Sequence, residues 1–564
     1  MHTDVFSVSI AMTGHQKPAR IPEKGTTMII HRRTFVGGAG ALLLSGFLSP
    51  ASKVLAAEKG GTLTLGFTSE TSSMDPHWHI VTPNNSVSQH LFDRLVHLDE
   101  KQGLVPGLAL SWKPVDDQTW EFKLREGITF HDGSPFTADD VIFSAQRAQN
   151  VTGAIFNMRA YLSDKVFEKV DDLTLLVRTD AANPLVPNEL STTAILSKAV
   201  AEGAASADFN SGKAAIGTGP YKYVEYTPGA QVVLERNDAY WGDKPDWKRV
   251  VIKPLPAGGA RVAALQSRNI DVIDNIPPAD VAHLEGTAGL NLVKDVANRM
   301  VFLSMDQGRK VSPFVRAKDG SEIANVFLDR RVRQAIDLAI DKKAVATHIL
   351  AGNGAAASQF VPEGIFGHNP DIPLKDADPE KAQSLLAEAG LADGFQLTIH
   401  GPNDRFIRDS AVVQAIAQML TRIGITMQVD TMPGNVFYKR ASSGGPEDGS
   451  EFSFFLVGYS AATGEVSGAL RNVVHSVDKD RGLGSNNRTR YSNADVDALI
   501  EEGMRTIDDA KRLEIFQSAC AMAIEDVAYI PLYYPVSVWG LQDSMTFAGR
   551  SDERTLAMDF HSAR

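Results

Sequence analysis

Phe395-Gln396-Leu397-Thr398-Ile399, a helical stretch from Asp409 to about Ile423, and Ile425-Thr426-Met427-Gln428-Val429 after Gly424 together decide the fold. Apolar residues alternate in the first and last segments, the period of a strand. Gly424 marks the end of the helix between them. Strand, helix, strand is a crossover unit, which implies parallel strands and a right-handed connection. Upstream, Asp378-Pro379 supplies an N-cap followed by proline at the first helical position, and Gly390 closes that helix. From Asp329 to Asp341, Val332, Ile336 and Ile340 fall four apart with Ala335 and Ala339 beside them, an amphipathic helix.

Before residue 260 the pattern turns hairpin-rich. Gly61-Thr62-Leu63-Thr64-Leu65-Gly66-Phe67 alternates as a first strand, and Thr119 to Leu124 alternates before a turn at Glu126-Gly127. Thr137 opens a helix with Asp140 at the capping-box position. There is no internal repeat or low-complexity tract. Pro/Gly punctuation at 253–259, Pro277-Pro278 and 442–449 marks loops and not a clean linker. The class is therefore α/β, with lobes joined intimately or a chain that passes between them more than once.

Composition narrows the function. The chain has 564 residues, too many for one hydrophobic core, so at least two lobes are required. With 56 Lys+Arg against 68 Asp+Glu, the net charge of −12 argues against a nucleic-acid partner, which needs a basic face. No run of about 18 apolar residues offers a membrane span. The single cysteine, Cys520, permits no internal disulfide.

Residues 1–56 are expected to be a removed export signal. Arg32-Arg33-Thr34-Phe35-Val36 precedes a short Gly/Ala/Leu-rich stretch to Leu48 and the small-residue site Val54-Leu55-Ala56. The adjacent arginines resemble the twin-arginine signal, whose receptor passes folded cargo. Met28 is a more natural start than Met1. Cleavage after Ala56 removes six Lys/Arg and two Asp/Glu, so 508 residues would carry a net charge of −16. With no cysteine near that site, the product is expected to be free in the periplasm and not a lipoprotein.

A catalytic constellation is not found. His-Glu-x-x-His, the P-loop and the Gly-x-Ser-x-Gly elbow are all missing from residues 57–564. Cys520 sits mid-helix by its apolar neighbours, as a small buried hydrophobe. His77 and His79 could share a metal if extended, but spacing identifies no third ligand, and two solvent-facing imidazoles around Trp78 are the plainer alternative. His131-Asp132 lies in a turn-like setting where Asp and Gly serve the backbone.

Open α/β sheets bind ligands beyond the carboxyl ends of strands. Three loops qualify: Thr68–His79, Gly401–Arg408 and Gly458–Glu465. The second carries Arg405 and Arg408, whose guanidinium forks suit a carboxylate or phosphate. The third presents Tyr459, Ser460, Thr463 and Glu465, rings and hydroxyls able to orient a polar organic molecule. The alternatives are solvated surface arginines and a polar connection.

The run Arg125-Glu126-Gly127-Ile128-Thr129-Phe130-His131-Asp132-Gly133-Ser134-Pro135-Phe136-Thr137-Ala138-Asp139-Asp140-Val141 resembles the signature of family 5 bacterial extracellular solute-binding proteins, the peptide-binding type of ABC-importer receptor. Further matches follow in order: Met74-Asp75-Pro76, Gly217-Thr218-Gly219-Pro220-Tyr221, Asn237 with Tyr240-Trp241-Gly242, and Val332 to Ile336. Pro379 to Ala382 through Gly390, Tyr491-Ser492-Asn493 and Pro531-Leu532 complete the set.

The resemblance implies a two-lobed periplasmic-binding-protein fold (type II, cluster C). Its large lobe would be 57–298 plus 534–564, with an extra hairpin-rich subdomain near 90–240, and its second lobe 299–533. It also implies Arg405 as the holder of a ligand carboxylate; from the loops themselves Tyr459, Ser460 and Glu465 are expected to join it in the ligand-binding set, with Met74 and His77 lining the first loop. Dipeptide-binding members hold the ligand's amino group with an aspartate in this third loop. Here Gly458-Tyr459-Ser460-Ala461-Ala462 places alanine there, and Glu465 is the nearest substitute. The expected function is a non-enzymatic receptor, without cofactor or metal, that delivers a peptide or peptide-like small molecule to an ABC permease. An opine, a metal chelate or a sugar conjugate is the alternative ligand; a hydrolase, chaperone or sensory partner is the competing class. Nothing in the sequence demands more than a monomer.

Overall fold

The structure is a computed structural model that describes residues 61–79, 81–154, 158–445 and 449–563. The expected export signal lies outside the described residues. Two sheets dominate, and one strand belongs to both. In the first, Thr62–Phe67 runs parallel to Arg249–Pro254 and to Val272–Ile273, and the antiparallel strands Gln231–Arg236 and Tyr221–Thr227 extend it. In the second, Gln396–Pro402 lies parallel to Thr426–Met432, as its crossover unit requires. Phe454–Ser460 and Arg299–Met305 follow, antiparallel to one another.

The shared strand is Ile530–Gln542, 13 residues long. Its first part pairs with Arg299–Met305 and Gly354–Ala356; its second pairs with Leu290–Val296 from Val296 opposite Val536 to Leu290 opposite Gln542. All but one of its residues are buried, as in a strand covered on both faces. Pro531 and Pro535 cannot donate to a ladder: Pro531 lies opposite Phe302 beside a register shift, and Pro535 lies where the strand exchanges one set of partners for the other. The chain crosses once more at Ala297-Asn298, where the Ala297 N–H donates to the Pro535 carbonyl (2.8 Å).

Period two explains the packing. Along Arg299–Met305, Val301, Leu303 and Met305 enter one core with the helices Arg330–Ala339 and Asp409–Arg422, while Met300 and Phe302 enter another with Asp509–Glu525. Cys520 is buried in the latter. The helix Arg330–Ala339 is capped by Asp329, and Pro379–Glu388 by Asp378, whose carboxylate accepts the Lys381 N–H (2.9 Å).

A separate four-stranded antiparallel sheet forms the hairpin-rich part, in the order Ala109–Asp116, Thr119–Leu124, Thr174–Thr179, Lys165–Asp171. Its core holds Trp120, Phe122, Leu175 and Val177 against Val141 of the helix Ala138–Ala148. The ordered motifs meet here for structural reasons. Buried Asp93 accepts hydrogen bonds from Thr218 Oγ1 (2.9 Å), Tyr240 Oη (3.1 Å) and Trp241 Nε1 (2.8 Å). Burial alone would raise its pKa, but bonds from His97, Trp241 and Thr218 hold the carboxyl below its usual range. Gly217 and Gly219 are glycines because a Cβ at either would collide with the backbone at Leu91. His131 Nε2 lies 3.0 Å from the Gly219 carbonyl and its Nδ1 accepts the Gly217 N–H (3.2 Å), so the imidazole of His131-Asp132 fastens loop to loop.

Candidate ligand-binding site

The carboxyl ends of Thr62–Phe67, Gln396–Pro402 and Phe454–Ser460 open onto one cavity of about 680 Å³, within the range of small-molecule sites. All three candidate loops contribute to its wall: Thr68, Ser69, Glu70, Ser72 and His79 from the first, Arg405 to Ile407 from the second, Ser460 to Ala462 from the third.

Arg405 is held by its backbone and left open at its tip. The Asp409 carboxylate, at the start of the helix Asp409–Arg422, accepts the N–H groups of Arg405 (2.9 Å) and Phe406 (3.1 Å). Asp404 Oδ1 accepts the Gly434 N–H (2.7 Å), pinning the same loop from its other side. The Arg405 guanidinium is 5.6 Å from the Phe406 ring centroid and has no carboxylate partner among the described residues. Ser460 joins it in the wall with a buried hydroxyl that has no hydrogen-bond partner among the described residues.

The other four expected contacts lie elsewhere. Neighbouring strand residues face opposite sides, so Tyr459 points away from the surface Ser460 lines: it packs on the core and its Oη accepts from Asn472 (3.0 Å). Glu465 is buried outside the cavity wall and bound to Arg512 Nη1 (2.7 Å), which spends it as a substitute for the missing aspartate. Met74 is buried in the core of the first sheet. His77 is fully buried, 2.8 Å from the Ala194 carbonyl and 3.2 Å from Arg147; burial first, then the Arg147 charge, push its pKa down to about 4, so it is neutral. Asp75 beside it pairs with Arg147 (2.7 Å), so this segment is scaffold. His79 does reach the cavity, apart from His77. Among the described residues no group of three or more His, Cys, Asp or Glu could hold a metal ion.

Several lining residues carry no local sequence signal. At the crossing, Asn298 Nδ2 donates to the Ala461 carbonyl (3.1 Å), and Arg299 pairs with Glu553 (2.8 Å), whose charge raises the arginine's pKa. The C-terminal segment adds Asp552, Glu553, Arg554 and Thr555. After the strand Val272–Ile273, Asp274 Oδ1 accepts the Thr68 N–H (2.8 Å) and hydroxyl (2.6 Å), and Asn275 turns the chain in the left-handed region, φ 46°. Burial pushes the Asp274 carboxyl pKa up, against opposing bonds from Thr68 and Asn275 and the charge of Arg261.

A cleft where two α/β sheets meet, lined by strand ends and by a cation left open, is the architecture of a two-lobed binding protein of the periplasmic type. A family model described as bacterial extracellular solute-binding proteins, family 5 middle, matches residues 103–481, and the chain belongs to that family. The oligopeptide-binding protein AppA of Bacillus subtilis is 26% identical over 505 residues, covering 85% of this chain and 87% of AppA. The dipeptide-binding protein of Escherichia coli is 28% identical over 475 residues, covering 78% and 82%. Among solved structures, the ABC transporter-associated periplasmic binding protein DppA of Helicobacter pylori, in complex with peptide STSA, superposes with a TM-score of 0.70 at 24% identity, covering 90% of this chain and 99% of DppA. Among the described residues no helix is long and apolar enough to cross a membrane.

Proposed function

We propose that this chain is a non-enzymatic periplasmic receptor that captures a peptide or peptide-like small acid and delivers it to an ABC permease. The peptide-binding relatives and the ABC transporter association of DppA support this assignment. Residues 57–298 with 534–564 form one lobe and 299–533 the other, hinged at Ala297-Asn298 and at the Pro535 region of the shared strand. Closure needs no bond-making: a ligand that touches both lobes binds the closed state better and so populates it.

The observation that carries this reading is Arg405, a guanidinium fork held rigidly at its backbone and unpaired at its tip in the cavity wall. It takes the ligand carboxylate, and the unpartnered Ser460 hydroxyl takes a second polar group. Native mass spectrometry of the purified protein would identify a retained solute, and calorimetry with that solute tests the anchor. Arg405→Ala is expected to weaken binding of the acid at least tenfold, about 1.4 kcal/mol. Unchanged affinity would remove Arg405 from the site.

A further inference from the structure

Four carboxylates line the cavity: Glu70, Asp274, Asp552 and Glu553. Two are spent, Asp552 on Arg550 and Arg554 and Glu553 on Arg299. Glu70 is exposed on its loop. Asp274 differs from all three. It is only 16% exposed, and Thr68 fixes its orientation through two hydrogen bonds to one oxygen. Its nearest guanidinium, Arg261, stays 3.9 Å away and gives its N–H groups to the carbonyls of Leu255, Pro256, Asp274 and Asn275. A desolvated carboxylate whose one cationic partner stands at the 3.9 Å outer edge of an ion pair, its N–H groups given to carbonyls, gains from a closer cation.

We propose that Asp274 is the anchor for a cationic nitrogen, so that the ligand is a zwitterion held by Arg405 on the second sheet's side of the cleft and by Asp274 on the first sheet's side. The inference rests on the receptor reading above and adds the ligand's charge pattern to it. It also accounts for Ala462 and for the capture of Glu465 by Arg512: with the positive group received across the cleft, the third loop needs no acid of its own. A ligand bonded at both ends to different lobes is also the kind that favours the closed state.

The test uses an equimolar library of free di- and tripeptides and the same library N-acetylated, each offered to the wild-type protein, Asp274→Asn and Arg405→Ala, with retained species counted by native mass spectrometry. The wild type is expected to retain free peptides at least tenfold more than acetylated ones. Asp274→Asn, which keeps an oxygen for Thr68, is expected to lose that preference, and Arg405→Ala to lose retention of both libraries. Equal retention of the two libraries by the wild type, or a preference that survives in Asp274→Asn, overturns the proposal and leaves the receptor reading standing. Because acetylation alters the ligand alone, the wild-type arm holds even where a variant folds poorly. Retention of no peptide from either library by the wild type sinks the peptide reading and the proposal with it.

Discussion

Asp552→Ala is expected to lower the stability of the folded chain by about 3–5 kcal/mol, the range for removing one partner from a buried ionic group. The Asp552 side chain is 5% exposed, accepts from Arg550 Nη2 (2.9 Å) and the Arg554 N–H (3.1 Å), and forms an ion pair with Arg554 Nη1 (3.2 Å). Buried Arg94 stands close enough to feel the same charges: burial first and then Arg554 push its pKa down to about 9, against the pull of Asp93 and Asp552. Without the carboxylate, Arg94, Arg550 and Arg554 lose the anion they share; among the described residues Arg550 keeps its ion pair with Asp559 (3.1 Å) and Arg94 keeps the pull of Asp93, while Arg554 keeps no ion pair. Urea unfolding followed by tryptophan fluorescence measures the loss; a change under about 1 kcal/mol would show the cluster to be solvated and would falsify this account.

The same group predicts a pH dependence. Burial would raise the Asp552 pKa, but Arg554 and Arg550 outweigh it and take it from 3.8 down to about 2. A carboxyl whose folded pKa is depressed stabilises the fold fully above its unfolded value and loses that contribution as pH falls through the folded one. Roughly 2 kcal/mol should therefore disappear from the wild type between pH 3.8 and about 2, and Asp552→Ala should lack that component of the acid limb.

Arg512→Ala is the second large effect, again about 3–5 kcal/mol, because it strands Glu465 in the core. Arg512 Nη1 meets Glu465 at 2.7 Å, Nη2 meets Asp509 at 2.8 Å, and the guanidinium lies 4.3 Å from the Phe366 ring centroid. The pair as a whole contributes far less, since joint burial costs both charges their hydration. Glu465→Leu combined with Arg512→Met, which keeps the volume over Phe366, is expected to recover most of the loss. A double-mutant cycle decides it: additive single effects would mean that the two side chains act independently.

The fold was legible wherever burial imposes a period. Alternation marked the strands at 62–67, 119–124 and 396–402, and Asp329, Asp378-Pro379 and Gly424 punctuated helices where the structure ends them. The ordered motifs were legible as family resemblance, and in the structure they fasten one another: His131 of the 125–141 run meets Gly217 and Gly219, and Thr218, Tyr240 and Trp241 converge on Asp93. In the cleft, position after a strand marked the three loops, and the open fork at Arg405 followed from residue type. Tyr459 and Ser460 could not be told apart, because neighbours on a strand separate only once its facing is known. Asp274, Arg299 and the 552–555 segment were invisible for a different reason. Asp274 and Arg299 are brought to the cavity by strand pairings with partners far along the chain, and the 552–555 segment by hydrogen bonds of Ser551 with Glu100 and Asn298 and of Thr555 with Ser86; no local pattern encodes those.

The shared strand has a consequence for biosynthesis. Residues 530–542 leave the ribosome after every other strand of the two sheets, yet both sheets need them in their interior. Until then Leu290–Val296 and Arg299–Met305 each lack a neighbour, so neither half can finish ahead of the other during translation. A polypeptide cut short before residue 530 would carry two open sheet edges at once, the kind of surface that invites aggregation. Completion of both sheets is thereby deferred until this one strand has been made, and their quality control reduces to whether it arrived.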